Sequence, residues 1–225
     1  MFAVNFENLN DTDGISIQDL IPGTTPGLKG GNAATGDSIQ IYDPITGGYT
    51  QYYLQYVTFP PAAMANNYKW MSGGTVANYK FKNGDAFWYN SKGTTDVTFS
   101  IAGGVSLSAS QSIDIYTGYN MIGSAFPANF NPNSLGTTYW QESGAKGGNA
   151  ATGDSIQIYN PTTGGYTQYY LQYVTFPPAA MANNWKWMSG GTPLATDAEG
   201  VPVGKGAWYK HNGNGFRLIV PSPIK

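Results

Sequence analysis

Few residues in this chain of 225 could carry chemistry. The only histidine, His211, stands beside Asn212-Gly213 and reads as a solvated residue of a hairpin loop. With no cysteine present, it is the one candidate base for a Ser-His-Asp or Cys-His mechanism, and a zinc centre would be short of nitrogen and sulfur ligands. Glycoside hydrolysis needs two carboxyl groups about 5 to 10 Å apart. The chain has three glutamates, Glu7, Glu142 and Glu199, and none lies in its duplicated segment. Asp37 and Asp154 do lie there, each after a glycine and just before a strand. A short carboxylate in that place reads as a turn cap that binds nearby backbone amides.

Two further stretches imitate ligand loops. Residues 31–38 and 148–155 have the glycines of a phosphate loop, but aspartate replaces the lysine and a strand follows where a helix should. Asp11, Asp13 and Asp19 offer oxygens for a loose calcium cage, and Asp197 with Glu199 a weaker one. Leu9 and Leu20 stand at the first and twelfth positions of a helix-loop-helix calcium site, which breaks that pattern. No catalytic residue, metal ligand set or cofactor is predicted.

Aromatic residues are the richest feature. Tyr52, Tyr53, Tyr56, Tyr68 and Trp70 are mirrored by Tyr169, Tyr170, Tyr173, Trp185 and Trp187, with Trp88, Trp140 and Trp208 besides. Strand aromatics usually fill a core or form cross-strand pairs. The same rings stack on pyranoses when exposed, so Tyr68, Trp70, Trp185 and Trp187 are the candidate ligand-binding set.

The elements that must position these residues come from an internal repeat. Residues 29–75 recur as 146–192 with three differences, Asp43/Asn160, Ile45/Thr162 and Tyr68/Trp185. Weaker similarity on both flanks, shifted by 120, aligns Met1 with Met121 and Trp88-Tyr89 with Trp208-Tyr209. Two β modules are expected, 1–108 and 109–225. Residues 112–120 lead into the second, and the first has no counterpart of them, so it is expected to lack its opening strand. A missing strand leaves backbone groups that another chain could satisfy.

Alternating residues 38–42 and 49–57, joined by Asp43-Pro44-Ile45-Thr46-Gly47-Gly48, predict a hairpin. A second hairpin is predicted to pair 86–89 with 97–101, and in the other half 207–209 with 216–220. Single helical turns are expected near 62–65, 179–182 and 133–135. The fold class is therefore all-β, two tandem homologous modules of sandwich or small-barrel type.

Composition narrows the partners. Charged residues make up 11% and aromatics 15%, against about 25% charged in ordinary soluble domains. Arg217 is the only arginine and the net charge is −2, which argues against nucleic acid. No apolar run approaches the ~18 residues of a membrane span, so no membrane insertion is expected. The absence of cysteine suits an exported bacterial protein.

The runs Gly118-Tyr119-Asn120-Met121-Ile122-Gly123-Ser124, Gly153-Asp154-Ser155-Ile156-Gln157-Ile158-Tyr159 and Gly206-Ala207-Trp208-Tyr209 resemble poorly characterised β modules repeated in secreted bacterial surface proteins. The resemblance covers most of both modules and implies an exported β protein without known catalysis. Together with the repeat and the low charge, it predicts a non-enzymatic extracellular or cell-surface structural protein. Such a fibre or surface-layer subunit would have copies of itself as partners, through β edges. The competing reading is a carbohydrate-binding or adhesin module, with glycans as partners, whose two copies add avidity.

Overall fold

The computed structural model describes residues 1–8, 13–57, 67–174 and 184–223. The turns expected at 62–65 and 179–182 lie outside them. The described residues are predominantly β. In the first half the strands are β1 (Phe2–Ala3), β2 (Ile15–Ser16), β3 (Ser38–Asp43) and β4 (Gly48–Val57). They continue with β5 (Asn67–Ser72), β6 (Thr75–Val76), β7 (Lys80–Phe81) and β8 (Ala86–Asn90). The second half contains β9 (Ser110–Ile115), β10 (Gly118–Ile122), β11 (Ser155–Asn160) and β12 (Gly165–Val174). After these come β13 (Asn184–Ser189), β14 (Thr192–Pro193), β15 (Ala207–His211) and β16 (Phe216–Pro221). Two short helices, α1 (Ile17–Leu20) and α2 (Thr137–Glu142), join them, with a 3-10 turn at Pro132–Leu135 where the sequence placed one. No helix among the described residues is long and apolar enough to cross a membrane.

Each half builds one antiparallel six-stranded sheet with the same connectivity, β1-β8-β3-β4-β5-β6 and β10-β15-β11-β12-β13-β14. Neither closes into a barrel among the described residues. The hairpin β3–β4 runs from Ser38↔Tyr53 to Asp43↔Gly48, and its copy β11–β12 keeps the register from Ser155↔Tyr170 to Asn160↔Gly165. Its turn explains one of the three differences in the repeat. Asp43 Oδ1 accepts the Ile45 amide and Asn160 Oδ1 the Thr162 amide, both at 2.9 Å, so either residue works. Ile45 itself is 73% exposed at the tip, which leaves threonine equally acceptable there.

Alternation sends Ile39, Leu54, Trp70 and Phe87 into the first core and Ile156, Leu171, Trp187 and Tyr209 into the second. The predicted second hairpin is corrected. Strand β8 lies between β1 and β3, and β15 between β10 and β11, so both of their edges are taken. Strand β16 leaves that sheet and pairs instead with β9, as a separate two-stranded layer.

The two halves solve one local problem with different residues. Gln18 on α1 donates to the carbonyls of Trp70 and Ala77 at 2.9 and 3.1 Å and accepts the Trp70 amide at 3.1 Å. In the second half Asn133 donates to Trp187 and Leu194 at 2.9 and 2.6 Å and accepts the Trp187 amide at 2.8 Å. A primary amide offers both donors and an acceptor, which is what three backbone groups at this turn require. Replacing Asn133 with leucine should therefore cost about 1–3 kcal/mol in denaturant unfolding, because the Trp187 amide and the Leu194 carbonyl stay partly buried and unpaired. A change below about 0.5 kcal/mol, the range of neutral surface substitutions, would contradict this role.

Candidate functional site

The group with the most chemical potential is a buried carboxylate present in both halves. Asp37 and Asp154 are fully buried. Asp37 accepts the Lys29 amide at 2.8 Å, the Tyr89 hydroxyl at 2.6 Å and the Lys92 amide at 2.6 Å. Asp154 accepts the Lys146 amide at 2.9 Å, the Tyr209 hydroxyl at 3.0 Å and the Asn212 amide at 2.8 Å. The capping role read from the sequence is present, and it reaches further, since the caps also tie down the turns after β8 and β15. Burial first, then the carboxylate beside it, raise the Tyr209 hydroxyl well above its ordinary range, so it stays a donor. The phosphate-like loop before Asp37 is committed internally, because Asn32 Oδ1 takes the Ala34 and Thr35 amides and Leu54 O takes the Gly31 amide.

The expectation of a solvated His211 is corrected. The residue is 1% exposed, with Nδ1 2.8 Å from Asp154 Oδ2 and Nε2 2.5 Å from the Asn214 carbonyl. Both partners are acceptors, so both nitrogens must donate, which describes an imidazolium paired with a carboxylate. Burial opposes the charge, but the bonds to Asp154 and Asn214 outweigh it and raise the pKa above 6.5. In that form neither nitrogen has a lone pair to serve as a base. Ser91 holds the equivalent place in the first half, so nothing in the repeat pattern marked this site as paired.

The predicted ligand-binding aromatics divide. Trp70 and Trp187 are 0% exposed and belong to the two cores, where no ligand can reach them, so that expectation is corrected for both. Tyr68 is 38% exposed, and Trp185 is partly buried. They pack against Tyr56 and Tyr173 at ring separations of 4.8 and 5.0 Å. Both rings also cover a glycine, since a Cβ on Gly30 or Gly147 would collide with them. That shared role explains the third difference in the repeat. Of the calcium candidates, Asp11 lies outside the described residues, Asp13 is 3.8 Å from Lys80 Nζ, and Asp19 sits in α1. No group of three or more His, Asp or Glu side chains converges among the described residues.

The structure gathers a different aromatic set, only partly anticipated from sequence. On the outward faces of the sheets, Tyr42 packs edge-on against Trp208 and Tyr159 against Trp88, each at 5.1 Å. Tyr42 also meets Tyr49 at 5.2 Å and Tyr159 meets Tyr166 at 5.5 Å. The halves thus face one another through equivalent contacts, an approximate two-fold relation. Backbone bonds follow it, with Ala3 N donating to Gly204 O at 3.0 Å and Gly123 N to Gly84 O at 2.8 Å. A cavity of about 310 Å³ opens at this junction, lined by Tyr42, Tyr49, Tyr119, Gln157, Tyr166 and Trp208. The available signal was that Tyr42 and Tyr159 alternate with the core positions Ile39 and Ile156, which puts them on the opposite face.

No family model matches the chain, and neither does any curated protein or solved structure.

The buried pair gives a signed pH dependence. Because the folded pKa of His211 is raised, its stabilisation is complete below pH 6.5 and is lost as pH climbs through the folded value. Unfolding free energies measured from slightly acid to alkaline pH should show this decline in the native chain. The decline should be absent in His211→Ser, which copies the first half; equal slopes would contradict the pair. Asp154→Ala strands four donors, of which the Tyr209 hydroxyl and His211 Nδ1 are buried, and should cost about 3–5 kcal/mol.

Proposed function

We propose that this chain is a non-enzymatic extracellular structural protein, the subunit of a self-assembling fibre or surface layer in which a neighbouring copy completes an open β edge. In this reading each half is a small sandwich-like module, and the first is finished only on assembly. The observation that carries it is the unequal fate of one strand in the two halves. In the second half β16 pairs with β9 from Phe216↔Ile115 to Pro221↔Ser110, and this seals Leu218 at 0% and Val220 at 7% exposure. In the first half residues 97–101 follow the same alternation, with Phe99 and Ile101 turned to the core. Those two side chains are only partly buried, and no strand pairs with 97–101 among the described residues.

Such an edge presents unpaired N–H and C=O groups, and a strand is their natural ligand. In this reading the strand that fits has a polar-apolar alternation like that of β9, whose Ile113 and Ile115 pack into the second core. With 11% charged residues, little repulsion opposes the approach of a second copy. A head-to-tail contact that does not close on itself propagates into a filament. The surface-protein resemblance and the cysteine-free composition are what support an extracellular assembly in this reading.

The test supplies the strand covalently. A second copy of residues 110–120 is fused before Met1, and both forms are followed by light scattering and electron microscopy. The native chain should form ordered assemblies. The fused chain should stay monomeric and melt higher, by roughly 2–4 °C for each kcal/mol gained. A native chain that stays monomeric at high concentration, or a fused chain that assembles equally well, would overturn the proposal.

A further inference from the structure

We propose that the cavity between the two halves binds a neutral pyranose of all-equatorial configuration. It is a site separate from residues 97–101 and independent of assembly. Its volume, about 310 Å³, lies at the lower end of small-ligand cavities, which span roughly 300–1,000 Å³. Five of its six lining residues are Tyr or Trp and the sixth is Gln157, so every polar group on the wall is neutral. Burial, and then the nearby Tyr42 and Tyr166, raise the Tyr49 hydroxyl above its ordinary value, which keeps it protonated. The nearby cation Lys210 lies over the Tyr119 ring, 5.8 Å from its centre, and is not part of the wall. An ion entering this site would meet no countercharge on the wall itself, whereas hydroxyl groups would meet phenols and an amide.

The shape of the wall favours a sugar over an extended peptide. Trp208 stands edge-on to Tyr42, Tyr49 and Tyr119, at interplanar angles of 88°, 84° and 77°. Rings so inclined form a cup, and a proline-rich peptide needs a run of ridges along a groove. An equatorial pyranose presents C–H groups on both faces and hydroxyls around its rim, which suits aromatic faces edged by phenols. Tyr49 and Tyr166 remain 52% and 49% exposed, one from each half, so ring surface is left for a ligand. Neither half has the site alone.

Tryptophan fluorescence and calorimetric titration of the intact chain with cellotetraose, laminaritetraose and chitotetraose test this, with a proline-rich decapeptide as comparison. At least one sugar should bind with Kd in about the micromolar to millimolar range. Tyr166→Ala should weaken it about 10-fold or more in a chain that stays folded, its melting temperature lowered only by the few degrees that the lost Tyr159 contact accounts for, and Tyr68→Ala should leave it unaltered. The proposal is overturned by no sugar binding up to roughly 10 mM, by affinity indifferent to Tyr166→Ala, or by the peptide binding in their place.

Discussion

A carboxylate taken wholly out of water must be met by donors, and Asp37 and Asp154 set that demand at the head of an interior strand of each sheet. Their acceptors collect the amide of residue 29 or 146, the hydroxyl of Tyr89 or Tyr209, and the amide that follows β8 or β15. One side chain thereby fixes where the loop ends, which tyrosine faces inward, and how the chain turns out of the sheet. The strands β3 and β11 begin at the next residue, so the hairpins inherit their register from this anchor. In the second half the anchor takes a fourth donor, His211, and becomes sensitive to pH.

With both sheets built alike, the halves meet through like surfaces. Tyr42 and Trp208 on one side and Tyr159 and Trp88 on the other repeat a single contact, each such aromatic pair worth about 0.5–1.5 kcal/mol beyond its buried area. The approximate symmetry ends at the outer layer. Strand β9 closes the second core, while residues 97–101 in the first half lie in the same place without a paired strand among the described residues. Duplication therefore makes the chain its own control, since one half has a strand pairing that the described residues of the other do not show.

The duplicated hairpins were legible because alternation and turn residues are local signals, and both appear twice in 29–75 and 146–192. The capping aspartates were legible for the same reason. The neighbours of β8 and β15 were not, because a strand's partner is chosen across the fold, and closeness in sequence to 97–101 suggested the wrong one. Trp70 and Trp187 were misplaced for a related reason: a ring on a strand reads alike whether it faces core or solvent. Burial of His211 depended on an aspartate 57 residues away. The amide clamp was hidden because Gln18 and Asn133 differ in length, in neighbours and in offset from their tryptophans.

The unequal outer layer can be measured residue by residue. Amide hydrogen exchange on the native chain, dilute and then concentrated, compares residues 97–101 with 216–220 in one molecule. The account predicts rapid exchange at 97–101 and slow exchange at 216–220 in the dilute chain, with protection spreading to 97–101 on concentration. Equal protection of both segments in the dilute monomer would contradict it, because the first half would then have no open edge.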